Sequence, residues 1–424
     1  MNRLILIGNG FDLAHGLKTS YKDFIKWYWT RRIMGLRGLL SHISNDGLCS
    51  LKLKNEMDVW NVWAHCNSAL YSTNIDGKAI VEEIRKDTRN FSVESTPLFQ
   101  EICYKIDTKG WADIEEIYYK HLTRQYHGAR PPKDVNDEFD KIRKELIEYL
   151  TEIQNGITDD VTMPGIRREI FKPFSKEDIA IGAMDQWNEM LKDRLNYRGN
   201  EWEHLVVAYN EIYESRGYYA DFIECFCKEH SDVTRLGEFD DVNERCPGFL
   251  LPDNILLLNF NYTNTADLYL PEADKFQVNH IHGSLSHPQS VIFGYGDEHD
   301  DEYQPLMKKN DNEYLRHIKS FRYLEAANYR KMLSFIEMDT YQVCIMGHSS
   351  GVSDRTLLKK LFEHKNCVSI KPYYHQKKDG TDDYWDIVCN IARNISDPSL
   401  MRDRVVIKEH CEPLSQLSQN TQNR

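Results

Sequence analysis

A chain of 424 residues, 41% hydrophobic and 28% charged, can bury a large core and hold more than one domain. Its 53 Lys and Arg against 66 Asp and Glu give a net charge of −13, which disfavours the broad basic surface of a nonspecific nucleic-acid binder, although a local basic pocket stays open. No apolar run approaches the length of a membrane span, and the 10 cysteines are scattered without a C-x-x-C pair. A cytoplasmic protein without membrane or nucleic-acid partners is therefore expected.

The first element is an apolar run, Leu4-Ile5-Leu6-Ile7, that breaks into Gly8-Asn9-Gly10-Phe11-Asp12 and then Leu13-Ala14-His15-Gly16. This reads as a buried strand turning into a helix over glycines, where N–H groups at the helix start can meet an anion. Position 13 is Leu, so the G-x-G-x-x-G dinucleotide fingerprint is incomplete, and a βα turn with no ligand remains the plain alternative. From about Tyr21 to about Cys246 helical patterns dominate, such as Phe139, Ile142, Leu146, Leu150 and Ile153, ending at Gly156. Trp111 to Glu115 opens another helix, and Trp202 through Tyr213 with Phe222 to Phe226 gives further stripes. Cys225 and Cys227 fall within that pattern and read as free thiols rather than metal ligands.

After Pro252-Asp253-Asn254 the run Ile255 to Phe260 has the continuous apolar character of a parallel strand covered on both faces. Strand candidates follow at Phe276 to Ile281, Val291 to Phe293, Tyr341 to Met346, Cys367 to Tyr373 and Arg404 to Lys408. Helical patterns separate most of them, at Leu315 to Ile336, Asp354 to His364 and Asp383 to Ile395. The alternation predicts an α/β fold, a Rossmann-like doubly wound parallel sheet interrupted by a large α-helical insertion. The expected organisation is residues 1–20 with 247–411 as a nucleotide-binding domain, 21–246 as the insertion, and 412–424 as a disordered tail.

In open α/β sheets ligands bind at the carboxyl ends of strands. Three polar clusters fall there: Asn259 to Thr263, His280 to Ser284, and Gly347-His348-Ser349-Ser350-Gly351. The N-terminal stretch through Leu17, with Thr19-Ser20-Tyr21-Lys22-Asp23-Phe24, resembles the start of the bacteriophage abortive-infection AbiH family, and His282-Gly283-Ser284 and Gly347-His348-Ser349 look like that family's C-terminal half. More distantly, the motifs resemble the sirtuin-like NAD-binding fold of NAD-hydrolysing defence proteins. That resemblance implies NAD as substrate, a phosphate loop at Gly8, Gly10 and Gly16, an Asn at Asn261, a catalytic His-Gly at His282-Gly283, and an adenosine-side loop at Gly347 and Ser349. Two positions depart from it: Asp12 stands where the fold has a ligand-facing Ser, and Thr263 where it has an Asp, which Asp12 would supply from across the cleft. The zinc module of sirtuin deacetylases has no counterpart in a chain without C-x-x-C, so no zinc is expected.

On this reading the catalytic candidates are His282, Asn261 and Asp12. Ligand contacts fall to Gly8, Asn9, Gly10, Phe11, Gly16, Thr263, Gly283, Ser284, Gly347, His348 and Ser349. Neutral His282 would accept a proton, Asn261 would orient water or a carboxamide, and the glycine N–H groups would hold a pyrophosphate. Two rivals stay open. His280-x-His282 with Asp12, Asp297 or His348 suggests metal-dependent nucleotide or phosphoester hydrolysis, and a noncatalytic nucleotide-sensing module would need no turnover. A phage-derived trigger, a homo-oligomer, and control of the site by the helical insertion are further expectations.

Overall fold

A computed structural model describes residues 1–38, 43–54, 82, 85–86, 88–89, 91–109, 113–124, 130–196 and 250–416. The helical stripes from Trp202 to Phe226, with Cys225 and Cys227, lie outside these residues. Eight strands are present among them: β1 (Asn2–Ile7), β2 (Ile43–Asn45), β3 (Cys49–Leu53), β4 (Phe91–Ser95), β5 (Ile255–Asn259), β6 (Phe276–His280), β7 (Tyr341–Met346) and β8 (Cys367–Tyr373). The chain divides into two compact units. Met1–Leu17, Ile157–Ser284 and Tyr323–Arg424 form the first; Lys18–Gly156 and Leu285–Arg322 form the second.

Unit 1 is built on a five-stranded sheet in the order β6-β5-β1-β7-β8, with every neighbouring pair parallel. The apolar runs explain it: every residue of β1, β5, β7 and β8 is buried, whereas the edge strand β6 is buried only in part. One core cluster joins Ile5, Ile7, Ile255, Leu257, Cys344 and Met346 to Ile166, Ile170 and Phe171 of the segment after residue 157. Helices Arg355–Phe362 and Tyr384–Asn394 bury Leu357, Leu358, Leu361, Phe362, Ile387 and Ile391. The chain runs outward from β1 through β5 to β6, then crosses to β7 and β8, so the strand order reverses between β1 and β7.

Arg404 to Lys408 does not form the expected strand: the helix Pro398–Arg404 ends there and Val405 makes one isolated bridge to Ile370. Glu412 to Leu414, placed by sequence in the tail, is tied to unit 1, with Pro413 bridging Tyr374 and Glu412 pairing with Lys371.

Unit 2 contains the helices Tyr21–Gly38, Pro97–Lys109, Ile114–Arg124 and Pro132–Gln154. It also holds an antiparallel sheet, β2-β3-β4, within a region where helical patterns were expected to dominate. The signal was the short alternation in Cys49-Ser50-Leu51-Lys52, which buries Cys49 and Leu51 and leaves Ser50 and Lys52 partly exposed. Val291 to Phe293 is no strand; its apolarity serves a loop in which Phe293 stacks on Phe139 at 4.5 Å, while Tyr118 covers Phe139 at 3.9 Å. Glu115 does more than favour a helix start, because it receives the buried Lys319 ammonium at 2.8 Å and the Gly294 N–H at 3.0 Å. Among the described residues, no helix is long and apolar enough to cross a membrane.

Candidate functional site

At the carboxyl ends of β1 and β7, where the strand order reverses, the two loops touch backbone to backbone. Gly10 N–H donates to the Gly347 carbonyl at 2.8 Å, Gly8 N–H to Met346 at 3.3 Å, and Phe11 N–H to Gly8 at 2.8 Å. These donors, expected to hold a pyrophosphate, are bonded to the protein itself. The glycines are required by this approach: a Cβ on Gly10 would lie 2.8 Å from the Gly347 Cα, and one on Gly8 2.5 Å from the His348 Cα. Phe11, expected among the ligand contacts, has its side chain turned into the core beside Tyr269. His15 donates from Nδ1 to the Phe11 carbonyl at 2.7 Å and accepts at Nε2 from the Tyr269 hydroxyl, and burial lowers its pKa. It is a neutral structural imidazole. Gly16 closes the short helix Asn9–Ala14, and Asn9 is exposed.

The loop after β5 comes to the same edge. Asn261 donates from Nδ2 to the Gly8 carbonyl at 3.0 Å, and its own N–H is held by Asn259 Oδ1. Thr263 donates its hydroxyl to Asp12 Oδ2 at 2.7 Å, which brings together the two positions at which the chain departs from the sirtuin-like pattern. Asp12 is only 1% exposed, and Oδ1 is buried with no hydrogen-bond partner. Burial pushes its pKa up to about 6, against the opposing hydrogen-bonding side chains of Thr263, Thr265 and Asn261.

This raised value fixes a sign. The unfolded chain releases the Asp12 proton near 3.8, whereas the folded chain keeps it to about 6. The group therefore weakens the fold progressively as pH rises through that interval, by about 3 kcal/mol in full. Asp12→Asn, which removes the charge and keeps an oxygen for Thr263, is expected to stabilise the protein above the interval by about 2 kcal/mol. It should also flatten the pH dependence of the unfolding midpoint within the interval. Urea unfolding of both proteins across it is the check, and a variant less stable than wild type above it would contradict the assignment.

His280 and His282 diverge at the end of β6. His280 binds Asp267 through Nε2 at 3.0 Å and Asn259 through Nδ1 at 3.3 Å. After Ile281 the chain turns at Gly283, whose φ is +79°, with Ser284 following. His282 instead sits in a buried group, with Nε2 3.2 Å from Asp354 Oδ1 and 3.0 Å from the Tyr323 hydroxyl. Asp354 also faces His348, whose Nε2 lies 3.6 Å from Oδ2. His348 Nδ1 accepts the Ser350 N–H at 3.0 Å, so its proton resides on Nε2, toward the carboxylate. The Phe260 ring contacts both imidazoles, edge-on to His282 at 5.1 Å and tilted on His348 at 4.1 Å.

The β7 loop that carries His348 is strained. Gly347 has φ +75°, and Ser350 is the one non-glycine residue with positive φ among the described residues, at +53°. Asn394 and Asn390 hold this conformation by donating to the Ser350 and Ser349 carbonyls, both at 2.7 Å, while Ser349 itself is exposed.

Asp354 and Tyr323 were not singled out from sequence. Asp354 stands at the N-cap of Arg355–Phe362 and reads as a helix cap, yet its side chain makes no capping bond and turns to the two histidines. Tyr323 lies 41 residues from His282 with no local pattern to mark it. Asp297 belongs to unit 2. Among the described residues, no three His, Cys, Asp or Glu side chains are grouped so as to hold a metal ion.

The fold and site define an α/β protein with a paired His-Asp centre at the carboxyl edge of a parallel sheet. A family model, Bacteriophage abortive infection AbiH, matches residues 4–375, and the chain belongs to that family. Membership points to a role in abortive infection by phage. No curated protein and no solved structure gives a significant match.

Proposed function

We propose that the protein is an abortive-infection effector that hydrolyses the N-glycosidic bond of NAD or a related nucleotide, and that its unit 1 is a Rossmann-like domain of the sirtuin-related kind. The observation that carries the reading is the buried His282-Asp354 pair beside the point where the strand order reverses. With Nε2–H directed to Asp354, Nδ1 of His282 is the basic nitrogen that takes a proton from water or a ribose hydroxyl. The carboxylate also stabilises the imidazolium formed, as an orienting acid does in other acid–base centres. Asn261, fixed by the Gly8 carbonyl, orients the ribose or the carboxamide. Because Gly8 and Gly10 use their N–H groups internally, the diphosphate is assigned to the exposed side of the edge, at Asn9 and Ser349. An enzyme that drains an essential nucleotide must be silent before infection, so a phage-derived trigger or self-association completes the proposal.

The test is to incubate the full chain with NAD, NADP, ATP and nucleosides, with and without chelator, and to separate the products. Release of nicotinamide, unaffected by chelator, is the expected result. Phosphoester products that vanish with chelator would replace this reading by metal-dependent hydrolysis, and binding without turnover would replace it by nucleotide sensing.

A further inference from the structure

Parallel strands covered on both faces carry apolar side chains, yet one face of the unit 1 sheet starts with a polar row. Arg3 of β1, Gln342 of β7 and Ser369 of β8 stand in register. Arg3 donates to Gln342 Oε1 at 3.2 Å and Gln342 donates to Ser369 Oγ at 3.1 Å. Beyond the row Ile5, Cys344 and Met346 return to the core. Arg3 and Gln342 of the row border a cavity of about 300 Å³, whose wall also includes Lys172, Ser175, Glu177, Lys371, His410 and Glu412.

Arg3 is 3% exposed, and among the described residues no carboxylate lies within 4.0 Å of it. Its partners are neutral: the Ile170 carbonyl at 3.1 Å, the Lys172 carbonyl, Gln342, and the Phe174 ring at 4.7 Å. Its Nε–H has no hydrogen-bond partner, and neither does the buried Nδ1 of His410. The acids around the cavity are engaged elsewhere. Asp178 holds Lys371 at 3.0 Å, Glu412 holds Lys371 at 3.2 Å and also Lys172, and Glu177 accepts from the Ser175 hydroxyl. A buried cation without a counter-charge is costly, and a guanidinium fork matches the two oxygens of a carboxylate or phosphate.

From these observations we infer that the cavity binds a small molecule with one compact anionic head, a carboxylate or a singly charged phosphate, received by Arg3. The wall carries three cations, Arg3, Lys172 and Lys371, and three carboxylates, Glu177, Asp178 and Glu412, so a single negative charge suits it better than a polyanion. Arg3 lies at the amino end of β1, whereas His282 follows the carboxyl end of β6, so this site is separate from the proposed catalytic one and stands without it.

The test is calorimetric titration of the full chain with acetate and, separately, inorganic phosphate at mildly acidic pH, with the arginine Nε–H signals followed by NMR. Saturable binding of one probe with a shift of the Arg3 signal is expected, and the probe that binds distinguishes carboxylate from phosphate. Arg3→Gln should weaken binding about tenfold or more. Should that variant fail to fold, Ser175→Trp, which fills the cavity and leaves the Arg3 bonds in place, should weaken it likewise. Absence of saturable binding by either probe, or wild-type affinity in the folded variants, would overturn the inference and leave Arg3 as a clip on the Ile170 to Lys172 carbonyls.

Discussion

His282→Ala is expected to lower the rate of nicotinamide release by about 100-fold or more, the range for a positioned acid–base group. Its partner should separate orientation from bulk: Asp354→Asn keeps the shape of the side chain but removes the charge that stabilises an imidazolium 3.2 Å away. It should reduce kcat with little change in KM, because the lost interaction grows only as the proton moves. Tyr323→Phe, which removes the hydroxyl 3.0 Å from Nε2, tests whether that group shares the role. Steady-state assays paired with thermal melts read the outcome, and wild-type turnover in a folded His282→Ala protein would remove this residue from the chemistry.

Gly347→Ala is expected to destabilise unit 1 by about 3 kcal/mol, the sum of a left-handed backbone penalty and an overpacking term. The new Cβ would lie 2.0 Å from the Phe11 nitrogen and 2.5 Å from the Gly10 carbonyl carbon, atoms of backbone that cannot swing aside as a side chain can. Gly380 provides the control, since it has a similar φ, +85°, with nothing within 4 Å of an added Cβ. Gly380→Ala should cost only the backbone term, about 1 kcal/mol. Urea unfolding of both variants isolates the close approach, and equal losses would mean that the β1 and β7 loops part readily.

Much of unit 1 was legible because the stretches from Leu4, Ile255, Tyr341 and Cys367 are mostly apolar, interrupted only by Gln342 in β7 and by Ser369 and Lys371 in β8, and each became a buried parallel strand. The Val291 to Phe293 run misled because three apolar residues serve an aromatic stack as well as a strand. In the candidate site, sequence brought forward the residues at strand ends, His282, Asn261, Thr263 and His348. Which of them meet is a tertiary fact: Asp354 has the local chemistry of a cap and becomes a bridge between two imidazoles only once β6 and β7 share a sheet. The use of the Gly8 and Gly10 donors by the β7 loop was equally hidden, since their partners lie more than 300 residues away. β2 to β4 are too short for their alternation to stand out against the surrounding helical stripes.

The position of β1 at the middle of its sheet sets a timetable for synthesis. Arg3 pairs with Ile255 on one side and with Gln342 on the other, so the strand made first cannot gain a neighbour until some 250 further residues have been translated. At ribosomal rates of about 5–20 residues per second that is a wait of roughly 13 to 50 s, during which β1 has neither of its sheet neighbours. The sheet edge that carries His282, Asn261 and the glycine loops does not exist during that interval. Nascent chains are therefore catalytically inert on the proposed reading, and the same interval is when a chaperone has most reason to hold them.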